Sequence, residues 1–228
     1  MKLSNKILIA FFASGFVYLT AVFAEVRLRG TPNNINDTNS IAETVDIPRV
    51  RYLVLQNLGE DIAVIGSDTP RLEVRSISGN LLKRLEYNIS GDTLTLSAFE
   101  TEEENIVVMI SVYVADDGLE AITVNDAAAS VKNFEKDLLY LSQNGGRVWL
   151  ADSEFGRLSI SVAGKSNLHI NATSLDTLTA NIDHSEVTVS TPLTLLQGSM
   201  GNNSFLRMNA VTEIQFRKDA TSRINMWE

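Results

Sequence analysis

The 228-residue chain contains no cysteine. That absence excludes disulfides, thiolate nucleophiles, zinc–thiolate centres and iron–sulfur clusters, and it removes the lipidated cysteine of a bacterial lipoprotein. Histidine is almost as scarce, with only His169 and His184. Basic charge is the minor sign: 19 Lys and Arg stand against 28 Asp and Glu, a formal net charge of −9. Such a surface repels nucleic acid and anionic lipid and favours a neutral or basic partner. Long helical periodicity is missing after residue 24, where the best candidate for a short helical turn is KNFEKDLLYL, residues 132–141.

One long hydrophobic run is present. Lys2 and Lys6 precede 18 uncharged residues, Ile7 to Ala24. A secretory core usually has roughly 7–15 such residues and a membrane span about 20, so the run lies between the two. Residues 1–24 are therefore expected to be a signal anchor or a signal peptide cleaved near Ala24, and to be the chain's only membrane contact. The lysines stay on the cytoplasmic side, which places the remainder across the membrane in the cell envelope. Without this segment the chain keeps 17 basic against 28 acidic residues, a net charge of −11.

Residues 25–47, with TPNNINDTNS at their centre, have turn-rich composition and no periodicity, and they are expected to be a polar linker. From residue 48 to residue 228 the chain alternates with period 2 in short runs such as YLVLQ, DIAVIG, RLEVRS and TLTLS, the pattern of β-strands. The acidic stretch FETEEEN, residues 99–105, lacks the carboxylate spacing of a calcium loop and is expected to be a solvated hairpin loop.

Residues 183–186 read DHSE, which are the side-chain types of a hydrolase. Counting from Ser185 shows a different order. Ser166, Ser185, Ser204 and Ser222 are 19, 19 and 18 residues apart, and Gly146 takes the equivalent place upstream. Two positions after each serine stand Leu168, Val187, Leu206 and Ile224; four positions after stand Ile170, Val189, Met208 and Met226. A period near 19, with two or three short strands per unit, predicts a solenoid whose units stack about 4.8 Å apart around a shared apolar interior. The expected fold is an all-β parallel β-helix, with rungs at about 119–137, 138–156, 157–174, 175–191, 192–210 and 211–228. A propeller would need units of about 40 residues, and a sandwich would not keep serine and aliphatic positions in phase.

The stretch from YLVLQ to SGDTLTLS resembles the head GIN domain family, the proposed auto-transporter adhesins. Its landmarks are DIAVIG, Pro70 before RLEVRS, then NLL and SGDTLTLS. The resemblance covers most of residues 48–228 and implies a right-handed parallel β-helix, export, and a bacterial source of the Bacteroidetes type. It carries no catalytic residues. The chain departs from the family's Gly-Ser-Gly turns with NDAAAS, SQNGGR and VAGKSN.

Within such a repeat DHSE is a turn and the start of a strand. Neighbouring strand residues point to opposite faces, so the four side chains cannot converge as a catalytic triad does. The two histidines lie about 13 Å apart along the rung at about 3.3 Å per residue, plus a one-rung step, too far for one zinc ion. No catalytic residue, metal site or cofactor is expected.

The expected functional surface is an outer sheet face. Offset three from each anchor stacks Trp149, His169, Thr188, Arg207 and Asn225; offset one stacks Arg147, Asn167, Glu186, Phe205 and Arg223. Aromatic rings beside Arg, Asn and Glu suit sugar stacking or a protein contact. The candidate binding face is therefore Arg147, Trp149, Asn167, His169, Glu186, Phe205 and Arg207, presented to a glycan or an envelope protein. The chain reads as a non-enzymatic, adhesin-like domain, with a polysaccharide-acting enzyme or a structural envelope protein as the competing classes.

Overall fold

The computed structural model describes Phe12, residues 14–23, residues 39–99 and residues 107–227. Met1–Asn34 and Ile35–Glu228 form separate units. In the first, Phe12 and residues 14–23 are helical, and the Thr20 hydroxyl donates to the Phe16 carbonyl at 2.8 Å. Among the described residues no helix is long and apolar enough to cross a membrane, so the expected anchor is not found there. The rest of the Ile7–Ala24 run lies outside the described residues, as do residues 100–105 of the acidic stretch.

The second unit begins with strands that close one end. β1 (Ile41–Asp46) pairs antiparallel with β4 (Arg71–Ser76), which pairs antiparallel with β7 (Val108–Val114). β1 falls inside the stretch expected to be linker up to residue 47; its IAETVD alternation is paired by a neighbour 30 residues later in sequence. β2 (Tyr52–Gln56) and β3 (Asp61–Gly66) form the first full rung. β5 (Leu85–Ser90) and β6 (Thr93–Phe99) make an antiparallel pair, and β6 lies parallel to β2.

From β8 (Ala121–Asn125) and β9 (Ala128–Lys132) the coil becomes regular. Long strands β10 (Glu135–Asn144), β12 (Glu154–Ala163), β14 (Ser174–Asp183), β16 (Leu193–Gly201) and β18 (Val211–Lys218) join one sheet. Short strands β11 (Arg147–Ala151), β13 (Asn167–Asn171), β15 (Glu186–Val189), β17 (Phe205–Met208) and β19 (Arg223–Met226) join the other. The expected helical turn at residues 132–141 is instead the end of β9, a two-residue link and the start of β10. Its side chains find register partners in β12, and that pairing overrides the local signal.

All pairings in this regular part are parallel and keep one register. Val131, Leu150, Ile170, Val189, Met208 and Met226 occupy one column, at steps of 19, 20, 19, 19 and 18 residues. Each long strand bends near its start. Asp137 and Gly156 do not pair, and the inward positions step by three residues there, from Phe155 to Leu158. The interior thus receives two rows from the short strands, through Leu168 and Ile170, and four from the long ones, through Phe155, Leu158, Ile160 and Val162. Leu139, Leu158, Leu178 and Leu196 form one of these rows, all fully buried. The sheets are joined into a β-solenoid with rungs of about 19 residues.

Candidate binding face

The turn that leads from each long strand to each short one explains DHSE. His184 adopts a left-handed backbone (φ 47°), as Lys165 (φ 62°) and Asn203 (φ 60°) do one rung away on either side. That bend turns the chain between sheets and points the next residue, the serine, inward. Ser166, Ser185, Ser204 and Ser222 are all buried. The Ser166 N–H donates to Ser185 Oγ at 3.2 Å, the Ser185 N–H to Ser204 Oγ at 3.4 Å, and the Ser204 N–H to Ser222 Oγ at 3.2 Å. Each of the first three hydroxyls donates to a carbonyl of its own rung: Ser166 to Ala163, Ser185 to Asp183 and Ser204 to Gly201. The serines form a hydrogen-bonded ladder along the coil. A buried N–H left without an acceptor would cost about 1–3 kcal/mol, which explains the hydroxyl at Ser185, Ser204 and Ser222.

Gly146 ends the ladder for a steric reason. Its φ is +72°, and a Cβ there would stand 2.0 Å from the Ala127 carbonyl oxygen. Beside it Gln143 is buried, at a position that is Val162, Ile182 and Met200 in later rungs. Its amide nitrogen lies 3.1 Å from the Gly146 carbonyl and 3.3 Å from the Asn167 carbonyl.

The two outward columns stand in register as the spacing implies. Trp149 pairs with His169, His169 with Thr188, Thr188 with Arg207 and Arg207 with Asn225. Arg147, Asn167, Glu186, Phe205 and Arg223 form the parallel column. The Trp149 and His169 rings are stacked, with centroids 4.2 Å apart and planes at 24°. Trp149 keeps 47% of its surface exposed, while burial pushes the His169 imidazole below its ordinary pKa. His169 Nε2 lies 3.4 Å from the Ser190 hydroxyl. His184 has a different partner, the Asn202 carbonyl at 3.1 Å from its Nδ1. Two rungs along, the Arg207 guanidinium lies 5.0 Å from the Phe205 ring centre and 3.8 Å from Glu186. The seven residues singled out from the sequence occupy four adjacent strands as two clusters, with Arg147 and Asn167 alongside.

A shallow groove runs beside this face, along the turns. One part, of about 570 Å³, is floored by Ala127, Ala128 and Gly146 and walled by Asp61, Asp126, Arg147, Lys165 and Asn167. A second part, of about 300 Å³, shares Lys165 and Asn167 and continues to His184, Glu186 and Phe205. Asp61, Asp126 and Lys165 escaped the sequence reading. Asp61 belongs to an earlier rung whose register with Ala128 no local pattern reveals. Another recess, of about 380 Å³, gathers Asp68, Asp116, Glu135, Asp152 and Glu154. Among the described residues no group of His, Asp or Glu side chains could hold a metal ion. The other sheet also exposes aromatics, Tyr52 and Tyr140, which share the register position of Ala121 on neighbouring strands.

No protein-family model and no curated sequence matches the chain. Solved structures do resemble it. A proposed adhesin from Bacteroides fragilis superposes with a TM-score of 0.61 at 13% identity, over 82% of this chain and 97% of that one. A second proposed adhesin, from Parabacteroides distasonis, gives 0.51 at 14% identity, over 82% and 94%. At such identities the likeness is one of fold: the chain shares the all-β architecture of these two proteins across nearly their whole length.

Proposed function

We propose that the chain is a non-enzymatic, adhesin-like domain of the head GIN type, working outside the cytoplasm and binding a glycan on the outer face of the short-strand sheet. The observation that carries this reading is the Trp149–His169 stack. A half-exposed indole is held by the imidazole stacked on one of its faces from the adjacent strand, two residues from the groove-wall Arg147. An aromatic ring held in place on a sheet face that also carries amide, guanidinium and carboxylate groups suits a sugar ring and its hydroxyls, because the apolar face stacks while the polar groups orient. The two neighbouring folds described as proposed adhesins agree with this reading. The chain's acidic charge favours neutral over anionic sugars. We also infer that the coil is right-handed, because parallel strands linked by crossovers within one sheet take that hand in about 98% of cases.

Screening the full chain on a glycan array, with product analysis of every bound glycan, tests the proposal. Binding without bond cleavage supports it. Release of shortened sugars identifies a polysaccharide-acting enzyme instead, and retention of an envelope protein with no glycan bound moves the face to a protein contact.

A further inference from the structure

The two ends of the solenoid differ. At one, the sheets end on the antiparallel strands β1 and β5. At the other, they end on the parallel-paired β18 and β19, each with a hydrogen-bonded neighbour on one side only among the described residues. Their inward residues continue the core rows yet stay open. Ile214 is 47% exposed, whereas its register partner Leu196 is fully buried; Met226 is 48% exposed, whereas Met208 is fully buried. An apolar cross-section rimmed by unpaired backbone groups is a template for another strand. We propose that a second copy of this chain stacks on this end tail to tail, so that β18 and β19 each pair antiparallel with themselves across a twofold axis.

The sequence of the edge is self-complementary in that arrangement. With Gln215 on the axis, Glu213 of one copy faces Arg217 of the other, twice by symmetry, and Ile214 faces Phe216. The faces agree as well: Ile214 and Phe216 are both inward and Glu213 and Arg217 are both outward, so the core and the polar surface run on without interruption. In β19 the same axis passes through Asn225, pairing Ile224 with Met226 and Arg223 with Trp227. Gln215 and Asn225 each lie five residues from Ala220 in the intervening turn, the equal spacing that a single axis through both sheets asks for.

The backbone fits this register. The Arg223 N–H is taken by Ser204 O at 3.0 Å and the Trp227 N–H by Met208 O at 3.1 Å. Strand alternation then turns the N–H groups of Ile224 and Met226 toward the open edge, where an antiparallel pair exchanges both bonds. In β18 the Asp219 N–H is taken by Met200 O at 3.2 Å, which leaves the backbone N–H groups of Ile214 and Phe216 directed at the open edge in the same way. Charge does not oppose the contact. The edge carries Arg217, Lys218 and Arg223 against Glu213 and Asp219, in a chain that is otherwise strongly acidic.

Sedimentation of the full chain in mild non-ionic detergent, over a range of concentrations, tests the proposal. The expected result is a monomer–dimer equilibrium. Arg217→Glu and Glu213→Arg each raise the dissociation constant by about tenfold or more, because two facing pairs become like-charged, and the double variant restores it. Both positions are exposed, so circular dichroism should show each variant folded. Gln215→Cys, the only cysteine in its chain, should give a disulfide-linked dimer on mild oxidation. A chain that stays monomeric, a dimer indifferent to both charge reversals, or a Gln215→Cys variant that does not cross-link would overturn the proposal.

Discussion

The Ser185 hydroxyl accepts the backbone N–H of Ser166 at 3.2 Å, 19 residues earlier in the chain, and donates to the Asp183 carbonyl at 2.8 Å. A residue that looks like a nucleophile is thereby committed on both sides to holding one rung to the next. Ser185→Ala leaves the buried Ser166 N–H without an acceptor and should lower stability by about 1–3 kcal/mol in urea unfolding. Amide exchange at Ser166 should speed up more than at Leu139, which lies one rung away in the sheet of long strands.

Alternation along β15 makes a sharp pair of outcomes. Val187 is fully buried and Thr188 faces outward between His169 and Arg207. Val187→Asp places an unpaired carboxylate in the core and should cost on the order of 3–5 kcal/mol, enough to unfold a marginal domain. Thr188→Asp should stay within about 1 kcal/mol of the parent. Thermal melts of the two proteins, side by side, check this.

The last turn should be acid-labile. Hydrogen bonds from Ser222, from the Asn202 N–H at 2.9 Å and from Thr221 hold the Asp219 carboxyl well below the usual carboxylate range. A carboxylate depressed in the folded state adds stability above its unfolded pKa, near 3.9, and loses it as pH falls toward the folded value. Unfolding curves taken from pH 6 down to pH 2.5 should therefore show the parent losing more stability below about pH 4 than Asp219→Asn does.

The Trp149–His169 stack should report its own protonation. Burial disfavours the imidazolium, so the His169 transition in indole fluorescence should have its midpoint below about 6.5 and vanish in His169→Gln. Because the folded state lowers this pKa, its contribution to stability is present above about pH 6.5 and is lost as pH falls through the folded value.

The regular half of the fold is legible in the sequence because each rung repeats the same demand. An inward aliphatic two and four positions after a buried serine is visible at Val187 and Val189 as at Leu206 and Met208. The outward columns follow from the same count. What stays hidden is set by partners far along the chain. The alternation of IAETVD looks like part of a polar linker until Arg71–Ser76 pairs with it, and the KNFEKDLLYL stretch looks helical until Glu154–Ala163 lies beside it. The order of β2, β3, β6 and β7 is equally silent, since period 2 does not distinguish parallel from antiparallel neighbours. The groove is half legible for the same reason. Arg147 and Asn167 come from the repeat, whereas Asp61 reaches the groove through the pairing of β3 with β9.

The most direct test of the central claim is a calorimetric titration of the full chain with a glycan selected from the array, repeated with Trp149→Ala. A bound, uncleaved glycan whose affinity falls about tenfold or more in the variant, with the variant's circular dichroism that of the folded parent, is the result predicted. Equal affinity for parent and variant, or cleavage of the glycan in the cell, would contradict the assignment of this face as a non-enzymatic binding surface.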